Sequence, residues 1–332
     1  MRRRGSILMI CLWVLAILVV FVIGLGNRAM INLKLARSQK ERLASELLAQ
    51  SGIEKAILFL SSAASAVSKD SDCLTDPWSI GIDPDTKNYI FKEIELSQGS
   101  GNKFTIGFLD QGNNYHCMSD EESRVNLNFV SPAVLSGIFA KGGVESGVHE
   151  LVNYALYWRN DPALDVTLNY PQLKKDKFSN CAELVSLLEY FYKGKIADYQ
   201  KKAWDVYKQL ENYITVYSPS SAVNVNTVSP EALAIMANAL ATNAEEISAA
   251  ASLSEKIITL RNAQPVNGEG DIRTLAQLST AEGNFLNKLA GSLTFKSSVF
   301  RIDSSSNSGR TLMKISAIYD RKNKKIVFWR QI

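Results

Sequence analysis

The chain has 332 residues, enough for two domains of ordinary size, and 46% of them are hydrophobic, which argues against extended disorder. Its formal net charge is +4, but Arg2, Arg3 and Arg4 supply three of those charges. Without residues 1–5, 34 basic residues face 33 acidic ones. A surface that binds nucleic acid usually carries a concentrated excess of positive charge, so no nucleic-acid partner is expected.

The N-terminal segment is a predicted membrane span. Residues 6–26 contain no charged side chain, and a helix of this length spans about 30 Å, the thickness of a bilayer core. The arginines before it predict a cytoplasmic N-terminus and an external body. Residues 27–67 lack proline and repeat apolar residues every three or four positions, so the helix is expected to continue outside the membrane.

A cleaved secretory signal is the alternative for this segment. Gly24, Leu25 and Gly26 could form a small-x-small cleavage site. The apolar run is longer than the roughly 7–15 residues of a usual signal peptide, and the helical pattern continues beyond it. A retained anchor is therefore favoured.

Strand patterns lie on both sides of a helical middle. Residues 68–88 read as a loop, and the runs 89–96 and 103–110 predict a hairpin. Residues 130–293 carry helical patterns, and strands return at 299–305, 311–320 and 325–332. The predicted fold is α+β: a long N-terminal helix on an antiparallel sheet formed by 68–129 and 294–332, with 130–293 as an inserted helical domain.

One phrase occurs twice, 98 residues apart. RVNLNFVSPAVL occupies 124–135 and AVNVNTVSPEAL occupies 222–233. Ser131 or Ser229 is placed to cap a helix that begins at the following proline, and the preceding asparagines favour a turn held by their own side chains. The phrase therefore predicts a strand-to-helix corner that is used twice.

Catalytic motifs are not found. The two histidines belong to no metal-binding spacing, and no nucleotide-binding or hydrolase motif occurs, so the chain is not expected to be an enzyme. Trp158 and Trp329 are expected in the core, and the charged run at 321–325 is expected to be a solvated turn.

Two acidic clusters suggest calcium, whose ligands are oxygen atoms. The first is Asp120, Glu121 and Glu122, and the second is a loop with Asp76, Asp83 and Asp85. Neither contains a complete ligand loop, so surface carboxylates are the favoured interpretation.

Three cysteines lie outside the predicted span, where disulfides can form. Cys73 with Cys117 is the favoured pair because both flank the predicted sheet. Since sequence alone does not determine connectivity, other pairings with Cys181 remain open.

Four motifs follow one another along the chain: RVNLN (124–128), KFSNCAELVSLL (177–188), the segment 213–236 around VNVNT, and IVFWR (326–330). They are preceded by an N-terminus that resembles a prepilin leader, which would end at Gly5 with Ser6 as the first mature residue. In sequence and in order, these features resemble the K-type minor pseudopilins of the type II (general) secretion pathway.

The resemblance implies processing, partners and a place in the cell. The implied domains are a leader (1–5), a single inner-membrane span (6–26), a periplasmic helix (27–67) and the pilin-like sheet with its insert. Prepilin peptidase would cleave after Gly5 and methylate Ser6. Most pilin-like subunits carry glutamate at the fifth mature position; here it is Ile10, as in K-type subunits at the tip.

The implied function is to form a tip complex with I- and J-type minor pseudopilins, to prime pseudopilus assembly and to support export of secreted substrates. No cofactor is required, apart from the calcium considered above. Two alternatives remain: a minor pilin of a type IV pilus, and a membrane-tethered helix-hairpin-helix module that binds DNA through helix N-termini.

Overall fold

The protein is described by a computed structural model that covers residues 4–62, 65, 70–96, 101–110, 113–162 and 170–331. Residues 1–3 of the predicted leader, residues 66–69 at the boundary between the predicted helix and loop, and Ile332 lie outside the described residues.

One long helix forms the N-terminal part of the structure. Helix α1 (Arg4–Leu60) is continuous, and it is the helix, among the described residues, that is long and apolar enough to cross a membrane. Its apolar first part is exposed, whereas its last turns are buried against the sheet through Leu48, Ala49, Ile53 and Ala56. These residues recur at helical spacing, which places them on one face. The predicted long helix that continues beyond the apolar run is confirmed, but it ends at Leu60, whereas the sequence pattern extended it to residue 67.

The helix packs on an antiparallel sheet of six strands. The strand order is β1 (Ile94–Glu95), β2 (Lys103–Ile106), β10 (Val299–Ser308), β11 (Thr311–Asp320) and β12 (Lys325–Gln331), and β5 (Ser119–Asp120) also pairs with β10. Gly52 of α1 faces Ser304 of β10 so closely that an added Cβ would clash with the serine side chain. Glycine at this point lets the helix approach the sheet.

Two predicted strands are shorter than their sequence patterns. In 89–96 only β1 is regular, because Glu93 has a positive φ of 47° that interrupts an extended chain. In 103–110 the strand breaks at Gly107, which has φ 154°, and the chain continues as β3 (Phe108–Asp110) paired with β4 (Asn113–Tyr115). The predicted hairpin between the first two runs is confirmed as the pair β1–β2.

The middle of the chain is helical, as predicted. The short helix α2 (Pro77–Ile80) precedes it. The helices of the inserted domain are α3 (Pro132–Lys141), α4 (Val148–Trp158), α5 (Glu183–Tyr192), α6 (Tyr199–Leu210), α7 (Pro230–Leu240), α8 (Ala244–Ala263), α9 (Glu269–Leu275) and α10 (Thr280–Leu289). Helices α9 and α10 lie within the region predicted to be helical, and Ser279 and Glu282 form a capping box that marks the start of α10.

Two hydrophobic cores follow from this arrangement. One lies between α1 and the sheet, and the other is inside the helical domain. Trp158 belongs to the second core, as predicted. Trp329 does not belong to either: 38% of its surface is exposed, so the prediction that it is a core residue is wrong.

Candidate functional site

The two repeated phrases form two corners with the same geometry. In the first, the Asn126 side chain accepts a hydrogen bond from the Asn128 backbone at 2.8 Å. In the second, Asn224 accepts from the Asn226 backbone at 2.9 Å. Ser131 and Ser229 cap the helices that follow, as predicted. Each corner therefore turns an extended segment into a helix by local side-chain bonds.

Each corner is closed by a distant backbone segment. Asn128 donates to the Phe178 carbonyl at 3.0 Å and accepts from the Phe178 N–H at 2.8 Å. Asn226 forms the same reciprocal pair with Val266, at 2.8 and 2.9 Å. The second asparagine of each phrase thus binds a chain segment 50 or 40 residues further on.

Two arginines bind backbone carbonyls of the corners, and neither was predicted from the sequence. Arg159 donates to the carbonyls of Leu127 and Val130, at 2.6 and 2.7 Å. Arg261 donates to the two carbonyls at the equivalent positions, 98 residues later. The sequence contains an Arg-Asn pair twice, at 159–160 and 261–262, and this repetition could have pointed to the two arginines.

The extended segment of each corner belongs to a short pair of parallel strands. Strand β6 (Val125–Asn126) pairs with β7 (Ile214–Thr215), and β8 (Val223–Asn224) pairs with β9 (Leu293–Thr294). Each unit therefore runs from a short strand through four helices to a parallel partner strand. The inserted domain contains this unit twice.

The two units pack against each other through α3 and α7. An added Cβ on Gly137 of α3 would lie 2.6 Å from the Cγ2 atom of Ile235 on α7. These two residues are also 98 positions apart, so each lies at the other's equivalent position. Contact between equivalent positions is the geometry of a local two-fold relation.

The acidic cluster predicted to bind calcium joins the sheet to both units. Asp120, at the end of β5, accepts hydrogen bonds from Thr227 at 2.5 Å, Ser297 at 2.6 Å and Asn224 at 3.3 Å. Thr227 and Asn224 belong to the second corner, and Ser297 leads into β10. One buried carboxylate thus ties three chain segments together.

Glu121 and Glu122 make the neighbouring connections from a 3₁₀ turn (Glu121–Ser123). Glu121 pairs with Arg301 of β10 at 2.6 Å and with Arg124 at 2.9 Å, and it accepts a hydrogen bond from Thr215 of the first unit. Glu122 accepts from the Ser298 backbone at 2.7 Å. Buried carboxylates are tolerated when charges and donors surround them in this way.

The three acids differ in their protonation tendency. Burial raises the pKa of Asp120 to about 7, against the hydrogen bonds from Ser297 and Thr227. Burial also opposes ionisation of Glu121, but Arg301 and Arg124 outweigh it and lower the pKa of this carboxyl. Burial raises the pKa of Glu122. Glu121 is therefore the ionised partner of the two arginines.

Calcium binding at these three residues stays a prediction, but the interpretation of them as surface carboxylates is wrong, because all three side chains are buried. Their oxygen atoms accept hydrogen bonds from the protein, and among the described residues no group of three His, Cys, Asp or Glu side chains is arranged to hold a metal ion. In the second predicted cluster, Asp76 accepts from the Cys73 backbone and from the Trp78 ring, and Asp83 accepts from two backbone N–H groups of its own turn. These acids shape loops.

The disulfide between Cys73 and Cys117 stays a prediction. Cys73 and Cys117 are both buried free thiols. Burial raises the pKa of each thiol to about 11, so neither is a ready nucleophile. The sequence pattern indicated two cysteines near the sheet but not the separation of their side chains.

A polar cavity of about 470 Å³ lies beside the junction. Arg124 and Arg301 line it together with Asp303, and both arginines already pair with Glu121. Cys181 also lines it, but burial raises the pKa of its thiol to about 12. Charged side chains of both signs therefore line the cavity.

The predicted processing residues lie at the start of the long helix. The backbone of Gly5 and Ser6 belongs to the first turns of α1. The side chain of Ile10, at the position where pilin-like subunits usually carry glutamate, is exposed on the apolar stretch. An apolar residue here is compatible with burial in lipid, whereas an unpaired glutamate would be costly.

Comparison with known proteins identifies the fold. No family model and no curated protein matches the chain. A chain in the crystal structure of the GspK–GspI–GspJ complex from the enterotoxigenic Escherichia coli type 2 secretion system matches with a TM-score of 0.61 and 12% identity. The match covers 90% of this chain and 99% of that chain.

The class defined by this match is the pseudopilin fold. The match extends over almost the whole of the other chain, so the helix, the sheet and the inserted helical domain are shared. The predicted α+β fold, a pilin-like long helix on an antiparallel sheet with a large helical insert, is confirmed.

Proposed function

We propose that this chain is a K-type minor pseudopilin of a type II secretion system, which assembles with I- and J-type subunits at the tip of the pseudopilus. The observation that carries the proposal is the fold match over 99% of a chain from a K–I–J complex. The sequence motifs that resemble the K-type family point to the same subunit independently of the fold.

The helical insert supports a position at the end of a fibre. It is larger than the sheet on which α1 packs, and it consists of two units of four helices each. In the middle of a fibre, neighbouring subunits occupy the space beside α1. A domain of this size therefore fits better at the end of the fibre, where that space is free. Ile10 agrees with this position, because a subunit with none above it needs no glutamate at that site.

The type IV minor pilin alternative is less well supported. It accounts for the leader and the long helix, but the shared fold includes the inserted domain as well. The DNA-binding alternative has less support again. Residues 241–243 between α7 and α8 contain no glycine, and the first turn of α8 carries Glu245 and Glu246, which repel phosphate.

The first test is N-terminal processing. The full-length protein is expressed with and without its prepilin peptidase, and its intact mass and N-terminal sequence are measured. We expect a start at Ser6 with one added methyl group, only when the peptidase is present. A start at Asn27 would indicate an ordinary signal peptide, and an unprocessed Met1 in both samples would indicate a simple anchored protein.

The second test is assembly and topology. We expect the full-length protein to co-purify with its I- and J-type partners from membranes. A periplasmic reporter fused after residue 332 should be active, because the body is proposed to lie in the periplasm. Failure to recover either partner under several conditions would contradict the tip role.

A further inference from the structure

The sheet has one long open edge. Strand β12 is the last strand in the order, and its outer side pairs with no other strand in the part of the chain that the structure describes. It is seven residues long, whereas the opposite edge strand, β1, has two residues. A row of unpaired N–H and C=O groups of this length can bind another extended chain.

The open edge is apolar at its centre. No residue of β12 is buried, although its neighbour β11 buries half of its ten residues. Ile326, Val327 and Trp329 are each about 40% exposed. Phe328 is the exception on this strand, because its ring packs against Tyr217 of the helical domain with centroids 5.4 Å apart.

The ends of this edge are basic. Lys325 and Arg330 are exposed on β12, and Lys322 and Lys324 are exposed in the adjacent turn. Residues 311–331 contain six basic residues and one acidic residue, Asp320, which bonds Asn323 within the turn. The remaining basic residue of this turn, Arg321, is bound by Asp72. Among the described residues no salt bridge involves Lys325 or Arg330, and the acid found at this edge, Glu46 of α1, binds the amide of Gln331.

The charge disfavours a second copy of this chain as the occupant. An antiparallel pair of two β12 strands centred between Val327 and Phe328 places Lys325 opposite Arg330 at both ends, and a parallel pair in register stacks each charge on itself. Like charges directly opposite one another destabilise strand pairs. Pairing of β12 with β1 of another copy is limited to two residues.

We propose that β12 binds an extended acidic segment of a pilin-like partner subunit, which adds to the sheet as a seventh strand. The backbone supplies the hydrogen bonds, the exposed apolar side chains supply buried area, and the two basic residues select an acidic partner. This inference rests on the proposed function, because the partner is a subunit of the same tip complex.

Hydrogen exchange tests the strand addition directly. The full-length protein in detergent micelles is measured alone and with its I- and J-type partners. We expect the amides of 325–331 that face away from β11 to exchange at least tenfold more slowly in the complex, whereas those that already bond β11 should change little. The amides of β10, which already pairs on both sides, serve as the internal control and should be unchanged.

Charge reversal tests the selectivity. The double variant Lys325→Glu/Arg330→Glu should bind the partner at least tenfold more weakly at low salt. The matched double variant Lys322→Glu/Lys324→Glu, with the same change of net charge in the adjacent turn, should bind within twofold of the native protein. Both variants alter exposed side chains, and their melting temperatures verify folding.

The outcomes separate the two proposals. If the native protein binds a partner while 325–331 gain no protection and the edge variant binds normally, the docking site is wrong and the proposed function stands. If the native protein binds no pilin-like partner at all, both are wrong. If protection appears in a homodimer of this chain, the occupant is a second copy and the acidic partner is wrong.

Discussion

Asp120 lies where the sheet and the second helical unit meet, and it accepts hydrogen bonds from Thr227 and Ser297. None of its hydrogen-bond partners among the described residues is basic. Glu121, the next residue, is held instead by Arg124 and Arg301. Adjacent acids thus have opposite pKa shifts, since burial dominates at one and paired charge at the other.

The raised pKa of Asp120 predicts a pH-dependent stability. The folded state holds this proton up to a pH of about 7, whereas the unfolded chain releases it near its ordinary pKa of 3.8. The contribution to stability is therefore complete below the unfolded pKa and is lost as the pH rises through about 7. Relative to Asp120→Asn, the native protein should gain up to about 4 kcal/mol between pH values of roughly 8 and 4.

The measurement is the melting temperature of both proteins across this pH range. Asp205→Asn changes an exposed carboxylate on α6 and is the control. It should show the same pH dependence as the native protein. A difference between native protein and Asp120→Asn that does not vary with pH would contradict the raised pKa.

Arg261 is a second residue whose role depends on burial. It binds the carbonyls of Val225 and Val228 and closes the second corner. Arg261→Met should lower the free energy of unfolding by about 2 kcal/mol, because two carbonyls lose a charged donor. Arg273→Met, which breaks an exposed pair with Glu269, should cost less than about 0.5 kcal/mol. Urea unfolding measures both; equal effects would show that the carbonyl contacts do not stabilise the corner.

At the scale of elements, glycines allow helices to pack closely against their neighbours. Helices α3 and α7 touch at Gly137 and Ile235, where a Cβ atom added to the glycine would lie 2.6 Å from the Cγ2 atom of the isoleucine. The same principle places α1 on the sheet at Gly52. Interiors packed to this density respond to the addition of a single methyl group.

Gly137→Ala should therefore destabilise the protein by about 1–3 kcal/mol, although alanine is the better helix former. Ile235→Ala removes the atoms that clash, so the double variant should lose less stability than the sum of the single variants. Gly283→Ala is the control, since an added Cβ there meets no atom within 4 Å. It should stabilise α10 by about 0.5–1 kcal/mol. Additive effects of the first pair would contradict the contact.

At the scale of the whole molecule, the four cysteines are free thiols in the structure, and non-covalent contacts hold its parts together. The sheet and the helical domain are joined by buried polar contacts: the Asp72 carbonyl accepts a hydrogen bond from Asn224, Asp120 accepts one from Thr227, and Glu121 accepts one from Thr215 of β7. Such contacts are sensitive to geometry, because each buried group that loses its partner is costly.

The free thiols give a prediction for the whole chain. Alkylation with iodoacetamide in denaturant, without a reductant, should add four labels, one for each of the four cysteines. In the native state Cys73 and Cys117 should react slowly, because burial raises the pKa of both thiols and limits access. Intact mass measures the labels. Two labels fewer in denaturant would show that a disulfide forms.

The sequence by itself determined the features that depend on neighbours along the chain. The apolar run before Arg28 and the uninterrupted helical pattern predicted α1, and the alternating runs predicted β10, β11 and β12. The repeated phrase predicted both corners, because an asparagine turn, a serine cap and a proline in the first helical turn act within a few residues.

Only the tertiary structure decided what those local features bind. Phe178 and Val266 reach the corners from 50 and 40 residues away, and Arg301 reaches Glu121 from 180 residues away. Asp120, Glu121 and Glu122, for which the sequence favoured surface positions, are buried and bound by the protein, and Trp329 is part of an exposed edge. The reason is physical: burial and pairing depend on which distant segments come together, and a linear pattern records only periodicity and residue type.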